Sequence, residues 1–426
     1  MVELFEDLNW RGLVHSVTDQ SLAQKLSSGS MSVYAGFDPT ADSLHLGNLI
    51  HIITLRRFQL AGHRPIAVAG GGTGLIGDPG GKSQERNLLS KDQLEFNLAS
   101  VARQLENLLD FSLGKNQAIL LNNANWLSEL NLLAFLRDVG KHFSVNQMIA
   151  KDSVRSRLEQ REQGISYTEF SYMLLQAFDF LYLFDNYDCS IQIGGSDQWG
   201  NITTGIELIR RNRQKEAFGL TSPLLVKSDG SKFGKSEGEN IWLDPKKTSP
   251  YKMFQFLLQT EDSLVIQLLR FFTFLSRDQI LDLELALEKE PEKRQAQLAL
   301  ASQVTAFVHG EQEAQRAQKA SEAIFSQDIS FLDEKLLLEV LADVPSIDIS
   351  WEMFEKGIEV SQAFALSKIV PSLSAARRLI AQGGCYLNND RVIDPKAMLD
   401  TPNLIHGRYI LLRRGRREQV LLILQK

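Results

Sequence analysis

Residues 34–48, "YAGFDPTADSLHLGN", decide how the N-terminal part of this chain is expected to fold. The first residues suit a buried strand, "DPT" is a turn signal, and "HLGN" opens the apolar stretch "LIHIITLRRF" (49–58). A strand that turns directly into a helix is the beginning of an α/β unit. His45 and Gly47 stand at the start of this helix, where backbone N–H groups attract anions. The stretch therefore predicts a phosphate-binding helix N-terminus.

The composition is that of an ordinary globular protein. The chain has 426 residues, a formal net charge of −6, 43% hydrophobic residues and 23% charged residues. Its first residues lack the basic region of a targeting signal, and no apolar run approaches the roughly 18 residues of a membrane span. Cys189 and Cys385 stand far apart and outside any metal-binding spacing. We therefore expect a cytoplasmic protein without disulfides, zinc or another bound metal.

The order of apolar and polar stretches predicts an α/β fold followed by further modules. Up to about residue 235, periodic stretches alternate with short apolar runs: "PIAVAG" (65–70), "QAILLNN" (117–123) and "DCSIQIGG" (188–195). This alternation is typical of a mainly parallel sheet. Residues 250–340 are rich in Leu, Ala, Gln, Glu and Lys, which favours helices. "ADVPSIDIS" (342–350) has the boundary signals of a linker, and the end of the chain reads as a helix followed by short strands.

Charge is distributed unevenly along the chain. Residues 361–426 contain 11 Lys and Arg against four Asp and Glu, a net charge of +7, whereas residues 1–360 carry −13. A small basic module in an otherwise acidic chain is typical of a segment that binds a polyanion. A solvated basic surface explains the same charge equally well, so charge alone leaves both interpretations open.

The glycine-rich stretch 67–86, "AVAGGGTGLIGDPGGKSQER", first suggests a dinucleotide-binding fold. Gly72, Gly74 and Gly77 fit the GxGxxG pattern, in which glycines let the backbone approach a pyrophosphate. However, Asp78 follows at once together with a proline, and these glycines do not follow the first strand of the chain. A nicotinamide-dependent enzyme is therefore disfavoured.

A polar stripe on an apolar helix predicts one wall of a pocket. Tyr172, Gln176 and Asp179 are spaced i, i+4 and i+7 within "YMLLQAFD", so they share one helix face. Buried polar groups without partners are costly, so such a stripe either lines a pocket or pairs internally, and we favour the pocket. "IQIGGSDQWGN" (191–201) ends a strand at the sheet edge where open α/β folds bind ligands.

The loop "SDGSKFGKSEG" (228–238) holds two lysines three residues apart. Lys232 and Lys235 could close on phosphate charge that develops during a reaction. For an isolated pair of this kind, an exposed, soluble loop is the better explanation.

Taken together, these stretches resemble the bacterial tyrosyl-tRNA synthetases, which are class I aminoacyl-tRNA synthetases. "YAGFDPTADSLHLGN" and "KFGKS" are similar to the two class signatures, and the blocks between them are also similar: "GLIGDP", "FLRDVGKHFSVN", "GISYTEFSYMLLQ" and "QIGGSDQWGN". "SLSAARRLIAQGGCYLNNDRV" resembles the small RNA-binding motif at the C terminus of bacterial members. The resemblance covers essentially the whole chain.

The resemblance implies three domains and a two-step reaction. Residues 1–235 would form a Rossmann-like catalytic domain, 236–345 an α-helical domain that contacts tRNA, and 346–426 a basic α+β RNA-binding domain. The enzyme would activate L-tyrosine with ATP and Mg²⁺, then transfer the tyrosyl group to the 3′ end of tRNA(Tyr). No tightly bound cofactor is implied. A homodimer through "NLLAFLRDVGKHF" (131–143) is expected.

The resemblance also assigns residues to each substrate. Groups that stabilise the phosphates and the departing pyrophosphate would be His45, Thr40, Lys232, Lys235, Lys82 and Arg86. Tyrosine would be held by Tyr34, Asp78, Tyr172, Gln176, Asp179 and Gln198, with Gln192 nearby; Tyr34 and Asp179 would bind its hydroxyl. ATP would be bound by Gly36, Asp38, Thr40, His45, Gly47, Asn48, Gly195, Asp197, Lys232, Lys235 and Ser236, and tRNA by Arg377, Arg378, Arg413 and Arg414.

Four positions depart from the family pattern. Asn48 stands where a second histidine is usual, and His51 where a small residue is more typical. "NNANW" (122–126) has Ala124 in place of part of the usual "YD" centre, and Gln147 replaces a common aromatic residue. Asparagine cannot transfer a proton, but the reaction requires no general acid or base at that position.

Two other functions are compatible with parts of this pattern. One is a related synthetase for another amino acid, such as tryptophan, and the other is an RNA-binding protein that kept the fold but lost amino-acid activation. The intact lysine loop and the pair Tyr34 and Asp179 argue against both.

Overall fold

The computed structural model describes residues 3–425 except 78–88, 113, 152–153, 156–157, 159–164, 227–232, 237–238, 324–328, 330, 343 and 416–417. The chain divides into two compact units. The first comprises Met1–Ser249 and Leu258–Val308, and the second Pro250–Leu257 and His309–Lys426. The division into three domains stays a prediction.

A six-stranded sheet forms the centre of the first unit, in the order β1-β6-β5-β2-β3-β4. Strands β2 to β6 are parallel to their neighbours, and β1 pairs antiparallel with β6 at one edge. The strands are β1 (Ser16–Val17), β2 (Ser32–Phe37), β3 (Arg64–Ala69), β4 (Ile119–Asn122), β5 (Cys189–Gly195) and β6 (Phe218–Ser222). The predicted mainly parallel sheet is confirmed. The runs 117–123 and 188–195 contain β4 and β5, and the run 65–70 covers β3 except its first residue, Arg64.

Helices connect these strands. Those of the first part of the chain are α1 (Leu4–Trp10), α2 (Ser21–Ser28), α3 (Leu46–Leu60), α4 (Thr73–Ile76), α5 (Lys91–Leu108), α6 (Ala124–Leu127), α7 (Leu132–Asp138), α8 (Val145–Ile149), α9 (Tyr167–Tyr187) and α10 (Trp199–Arg213). Helix α9 begins where the Ser166 hydroxyl accepts a hydrogen bond from the Glu169 N–H, and it ends before Asp188 in the left-handed conformation. A short hairpin of β7 (Lys235–Ser236) and β8 (Glu239–Asn240) follows β6.

The chain order of the sheet creates a crevice between β2 and β5. From β2 the chain moves to β3 and β4 on one side, whereas β5 and β6 lie on the other side. Open α/β sheets bind ligands outside the carboxyl ends of the strands at such a reversal. The ends of these strands, at Phe37 and Gly195, therefore mark the expected site.

The predicted helical region is confirmed. Its helices are α11 (Pro250–Leu258), α12 (Asp262–Phe272), α13 (Arg277–Lys289), α14 (Gln295–His309), α15 (Glu311–Ala323) and α16 (Glu334–Val340). Alanines on one face of α15, among them Ala314, Ala317 and Ala320, are buried, which explains how a helix so rich in charge packs.

The C-terminal part of the second unit is a five-stranded sheet with three helices. The sheet order is β11-β10-β12-β13-β9. Its elements are β9 (Ser346–Ser350), α17 (Trp351–Glu355), α18 (Val360–Leu366), α19 (Leu373–Ala381), β10 (Cys385–Leu387), β11 (Asp390–Arg391), β12 (Tyr409–Arg414) and β13 (Glu418–Gln425). The linker interpretation of 342–350 was wrong for Ser346–Ser350, because these residues pair in parallel with β13. A pairing partner some 75 residues away leaves no local sequence signal.

Within the described ranges, no helix is long and apolar enough to cross a membrane. The same ranges contain no group of three or more His, Cys, Asp or Glu side chains arranged to hold a metal ion.

Candidate active site

A cavity of about 620 Å³ opens at the carboxyl ends of β2 and β5. Its volume falls in the range of ~300–1,000 Å³ that is usual for small-molecule sites. The cavity brings together these predicted residues: Tyr34, Gly36, Asp38, Thr40, His45, Gly47, Asn48, Tyr172, Gln176, Asp179, Gln192, Gly195, Asp197 and Gln198. Asp78, Lys82, Arg86 and Lys232 lie outside the described residues, and Lys235 and Ser236 are described only as backbone.

Asp179 is a buried carboxylate with two fixed donors. Its Oδ1 accepts from the Trp126 indole N–H at 2.7 Å, and its Oδ2 accepts from Asn123 Nδ2 at 2.9 Å. Burial raises the pKa of Asp179 to about 7, against the two hydrogen bonds, which lower it. Each carboxylate oxygen has two lone pairs, so Asp179 can accept further hydrogen bonds from a ligand.

Tyr34 is a second buried polar group in the same cavity. Its ring packs on Phe180 at 5.3 Å between centroids, and its hydroxyl has no hydrogen-bond partner among the described residues. Burial, with the neighbouring charge of Asp179, raises the pKa of this phenol, so the hydroxyl keeps its proton. In the sheet Tyr34 lies beside Gln192, whose buried Oε1 also lacks a described partner. Two buried polar atoms without partners are expected where a ligand supplies them.

A continuous chain of hydrogen bonds links Asp179 to Asp38. Asn123 Nδ2 also lies 3.0 Å from Thr73 Oγ1, and the Thr73 hydroxyl donates to Asp38 Oδ1 at 2.9 Å. The Tyr172 hydroxyl donates to Asp38 Oδ2 at 2.9 Å. The predicted polar stripe on α9 is thus tied to the ends of β2, β3 and β4.

The remaining stripe residue belongs to an amide cluster. Gln176 Nε2 lies 3.3 Å from Gln198 Oε1, and Asn201 Nδ2 donates to both Gln176 Oε1 at 2.8 Å and Gln198 Oε1 at 3.0 Å. Asp197 is exposed at the rim of the same cavity, beside Gly195. A side chain on Gly195 would place its Cβ 2.5 Å from Asp197 Oδ1, so the glycine permits this close approach.

The N-terminus of α3 is closed by two reciprocal hydrogen bonds. Asn48 Oδ1 accepts from the His45 backbone N–H at 3.1 Å, and His45 Nδ1 accepts from the Gly47 N–H at 3.1 Å. This capping box positions both side chains at the cavity wall. Because Nδ1 accepts, the neutral ring of His45 carries its hydrogen on Nε2. A Cβ on Gly47 would lie 2.9 Å from His45 Cε1, so this position requires glycine.

Residues that flank the second signature lie against this helix start. The Ile241 N–H donates to the Gly234 carbonyl at 2.8 Å, and the Leu46 N–H donates to the Ile241 carbonyl at 2.9 Å. Phe233 and Gly234 line the cavity, and Gly234 has a left-handed φ of 89°. The backbone between the two predicted lysines is thereby fixed beside the first signature.

Two departures from the family pattern are located differently. His51 lines the cavity one turn after Asn48, and burial lowers its pKa to about 4, so it is neutral at pH 7. Gln147 lines a separate cavity of about 400 Å³ together with Lys151 and Thr203. Of these two residues, His51 is therefore the one placed to affect a ligand in the main cavity.

The four predicted tRNA-binding arginines lie in the C-terminal part of the second unit. Arg377 and Arg378 are exposed on α19, and Arg377 pairs with Glu359 at 2.9 Å. The Arg413 guanidinium lies 4.2 Å from the Tyr386 ring centroid, and Arg414 donates to the Ile369 carbonyl at 3.1 Å.

Asn123, Trp126 and Thr73 are site residues that the sequence analysis did not assign. Asn123 and Trp126 directly follow β4, at the same sheet edge as the ends of β2 and β5. The rule that ligands bind at this edge was the signal that could have identified them.

Comparison with known proteins identifies the family. The model for class I tRNA synthetases (W and Y) matches residues 26–326, and that for the tyrosine–tRNA ligase SYY-like C-terminal domain matches 337–422. The chain is 51% identical to the tyrosine–tRNA ligase of Roseiflexus castenholzii, over 98% of either chain, and 50% identical to that of Bacillus caldotenax, over 99% of either chain. A C-terminally truncated mitochondrial tyrosyl-tRNA synthetase from Aspergillus nidulans superimposes with a TM-score of 0.70 at 31% identity, covering 76% of this chain and 95% of that one. The chain therefore belongs to the tyrosine–tRNA ligase family of class I tRNA synthetases.

Proposed function

We propose that this chain activates L-tyrosine with ATP and transfers the tyrosyl group to tRNA(Tyr). In the first step a carboxylate oxygen of tyrosine attacks the α-phosphate of ATP, and the bond to the pyrophosphate leaving group breaks. In the second step a hydroxyl of the terminal ribose of tRNA attacks the tyrosyl carbonyl and releases AMP. Neither step requires a protein nucleophile, so positioning and electrostatic stabilisation supply the catalysis.

The observation that carries this proposal is the unpartnered Tyr34 hydroxyl in the same cavity as the Asp179 carboxylate. The phenol of tyrosine can donate to Asp179 and accept from Tyr34, which satisfies both buried groups. Phenylalanine would bury them without a partner, at a cost of roughly 1–3 kcal/mol for each group. Tryptophan offers an indole N–H donor but no acceptor for Tyr34.

The cluster at the other end of α9 suits the ammonium group of tyrosine. The oxygen-bearing side chains of Tyr172, Gln176 and Gln198 line the cavity, and the buried Oε1 of Gln192 lacks a described partner. An ammonium group carries three donors and no acceptor, so such a set of oxygens complements it. Asp78 is assigned to the same group through its place in the family pattern.

The start of α3 is the proposed binding site for the phosphates. His45 Nε2–H and the side-chain amide of Asn48 supply donors at a helix N-terminus whose own N–H groups are held by the capping box. Gly36, Asp38, Thr40, Gly195 and Asp197 complete the proposed nucleotide wall. Lys232, Lys235, Lys82 and Arg86 are proposed to stabilise the departing pyrophosphate, and Ser236 to bind ATP. Mg²⁺ enters with ATP as part of the substrate, and no resident cofactor or zinc is proposed.

We assign the parts of the chain as a Rossmann-like catalytic domain (1–235), a helical domain (236–345) and an α+β domain (346–426). The net charge of +7 on residues 361–426 supports tRNA contacts by Arg377, Arg378, Arg413 and Arg414. Deletion from residue 346 onward is expected to leave tyrosine activation largely intact and to abolish efficient tRNA charging. The proposed location is the cytoplasm.

The surface of residues 131–143 supports the proposed homodimer. Leu132 and Leu133 are 68% and 76% exposed, and Leu136, Val145 and Ile149 are also exposed nearby in the chain. Clustered exposed leucines are typical of a protein–protein interface. Multi-angle light scattering should give a dimer mass for the wild type and a monomer mass for Leu133→Asp. A wild-type monomer at micromolar concentration would rule the dimer out.

The test of the proposed function is tyrosine-dependent ATP–pyrophosphate exchange, followed by charging of a tRNA(Tyr) transcript with the full chain. We expect both activities. Charging without exchange would mean that activation requires bound tRNA, whereas absence of both would leave a fold that has lost activation. Exchange that is faster with tryptophan than with tyrosine would reassign the substrate.

A further inference from the structure

The hairpin turn between β10 and β11 is unusual in its second residue. Asn388 and Asn389 have φ angles of 47° and 72°, the left-handed pair that a two-residue hairpin requires. Glycine is the preferred second residue of such a turn, because asparagine tolerates this region less well. Asn389 is nevertheless 2% exposed. A buried amide in place of glycine needs a reason other than turn formation.

The amide of Asn389 reaches the end of a helix outside its own sheet. Its Nδ2 donates to the carbonyl of Ala323 at 3.2 Å. Ala323 is the last described residue of α15. The side chain of the preceding Asn388 instead bonds within its own sheet region. Its Nδ2 donates to the Asn403 carbonyl at 2.6 Å, and its Oδ1 accepts from the Leu411 N–H at 2.8 Å.

Two further side chains from the same sheet region contact residues that follow α15 in the chain. The His406 Nε2 lies 2.7 Å from the carbonyl of Leu332, so this nitrogen carries the hydrogen. The Tyr409 hydroxyl, at the start of β12, donates to Glu334 Oε1 at 2.7 Å. Burial and this bond raise the pKa of Tyr409, which keeps the phenol protonated.

We propose that Asn389, His406 and Tyr409 form a clasp that fixes the C-terminal sheet on Ala323, Leu332 and Glu334 and so positions its basic residues for tRNA. The three partners are the end of α15, the loop before α16, and the first turn of α16. An ion pair joins Arg316 on α15 to Asp333, the cap of α16, so two of the elements that the clasp contacts are also joined to each other.

One clasp residue, Tyr409, lies on the same strand as two of the basic residues, Arg413 and Arg414. Tyr409 begins β12, and Arg413 and Arg414 end it, about 13–17 Å further along an extended chain. Paired on both sides by β10 and β13, β12 is stiff, so fixing its first residue fixes the direction of the arginines. The clasp residues touch no substrate, and they act as positioning residues. Their effect on tRNA rests on the proposed function, whereas their effect on geometry does not.

The geometric test measures a distance across the clasp. Spin labels are placed on Lys319→Cys in α15 and Lys396→Cys in the C-terminal sheet region, both exposed positions. Burial raises the pKa of the native thiols of Cys189 and Cys385, so they should react little. We expect a narrow distance distribution in this background, and a broad or shifted one after Asn389→Gly with Tyr409→Phe. Glycine suits the turn and phenylalanine keeps the ring, so both changes preserve the sheet.

The functional test uses the full chain with the same double variant and Gln425→Ala as the matched control. The Gln425 side chain makes two exposed hydrogen bonds, donating to Asp348 and accepting from Arg408, and neither involves a clasp residue. The double variant should raise KM for tRNA roughly threefold to tenfold, with kcat and tyrosine-dependent exchange unchanged, because only pre-organisation is lost. The control should change neither value.

An unchanged distance distribution in the double variant would overturn the clasp, and an unchanged KM for tRNA would overturn its positioning role. Should the double variant fold poorly, Asn389→Gly alone carries both tests. Absence of exchange in the wild type would instead contradict the proposed function and leave the distance result standing.

Discussion

Trp126 and Asp179 are joined by a hydrogen bond of 2.7 Å from the indole Nε1 to Oδ1 inside the core, where the Trp126 ring also stacks on Tyr182 at 4.4 Å between centroids. The bond holds a buried carboxylate in one orientation and lowers its pKa against the effect of burial. Because Asp179 is the proposed acceptor for the tyrosine hydroxyl, Trp126 acts on the substrate through Asp179.

Trp126→Phe should weaken tyrosine binding about tenfold while leaving KM for ATP unchanged. The variant keeps an aromatic ring against Tyr182 but removes a donor from a buried carboxylate, a loss of ~1–3 kcal/mol. Steady-state exchange kinetics measure both KM values. Tyr182→Phe, which keeps the stack and the Asp179 bond, is the matched control. An equal rise of both KM values would indicate general damage to the fold.

Tyrosine binding should depend on pH through Asp179. Its pKa of about 7 means that the carboxylate becomes protonated as the pH falls below 7, and the neutral form is a poorer acceptor for the tyrosine hydroxyl. The Kd of tyrosine, measured by fluorescence titration, should therefore rise as pH decreases, by about tenfold at one unit below the pKa. Asp179→Asn should bind weakly at every pH, without this inflection. A wild-type Kd that is constant from pH 5.5 to pH 8 would contradict the assignment.

Tyr34→Phe should separate ligand recognition from stability. The Tyr34 hydroxyl has no described partner in the free protein, so its removal should leave the melting temperature unchanged or slightly higher. Tyrosine kcat/KM should fall by up to about tenfold, equivalent to one hydrogen bond, and phenylalanine should be rejected less well. A clear loss of thermal stability would mean that the hydroxyl has a structural partner.

Asn48 has two separable roles, as helix cap and as neighbour of the phosphates. Asn48→Asp keeps the oxygen that accepts from the His45 N–H, so stability should be retained, but its charge should raise KM for ATP. Asn48→Ala loses the capping-box hydrogen bond to the His45 N–H and about 1 kcal/mol of stability. Asn48→His should stay within about tenfold of the wild-type rate, because an imidazole nitrogen can accept the same bond. His45→Ala and Lys235→Ala should be far more damaging.

The sequence predicted the elements with local signals and missed those that depend on distant partners. The parallel strands and the stripe of Tyr172, Gln176 and Asp179 follow from periodicity, and all three side chains line the cavity. The spacing could not show that Tyr172 donates to Asp38, because that contact joins residues 134 positions apart. The strand Ser346–Ser350 likewise has no local signal and resembles a linker in the sequence, because its partner β13 lies about 75 residues further along the chain.

The same limit explains why Asn123 and Trp126 were overlooked. "NNANW" departs from the family pattern at Ala124, whereas the side chains that bond to Asp179 are those of Asn123 and Trp126. Asn48, by contrast, makes a contact that is local in sequence. Its capping bond is local, to a residue three positions away, and it shows why asparagine suits this position.

The central claim is that Tyr34 and Asp179 recognise the hydroxyl of the amino acid by hydrogen bonding to it. The most direct measurement compares kcat/KM for tyrosine and phenylalanine in ATP–pyrophosphate exchange by the wild-type enzyme, with Tyr34→Phe and Asp179→Asn in parallel. We predict a strong preference for tyrosine in the wild type that shrinks in each variant. Equal use of the two amino acids by the wild type, or an undiminished preference in both variants, would contradict this account.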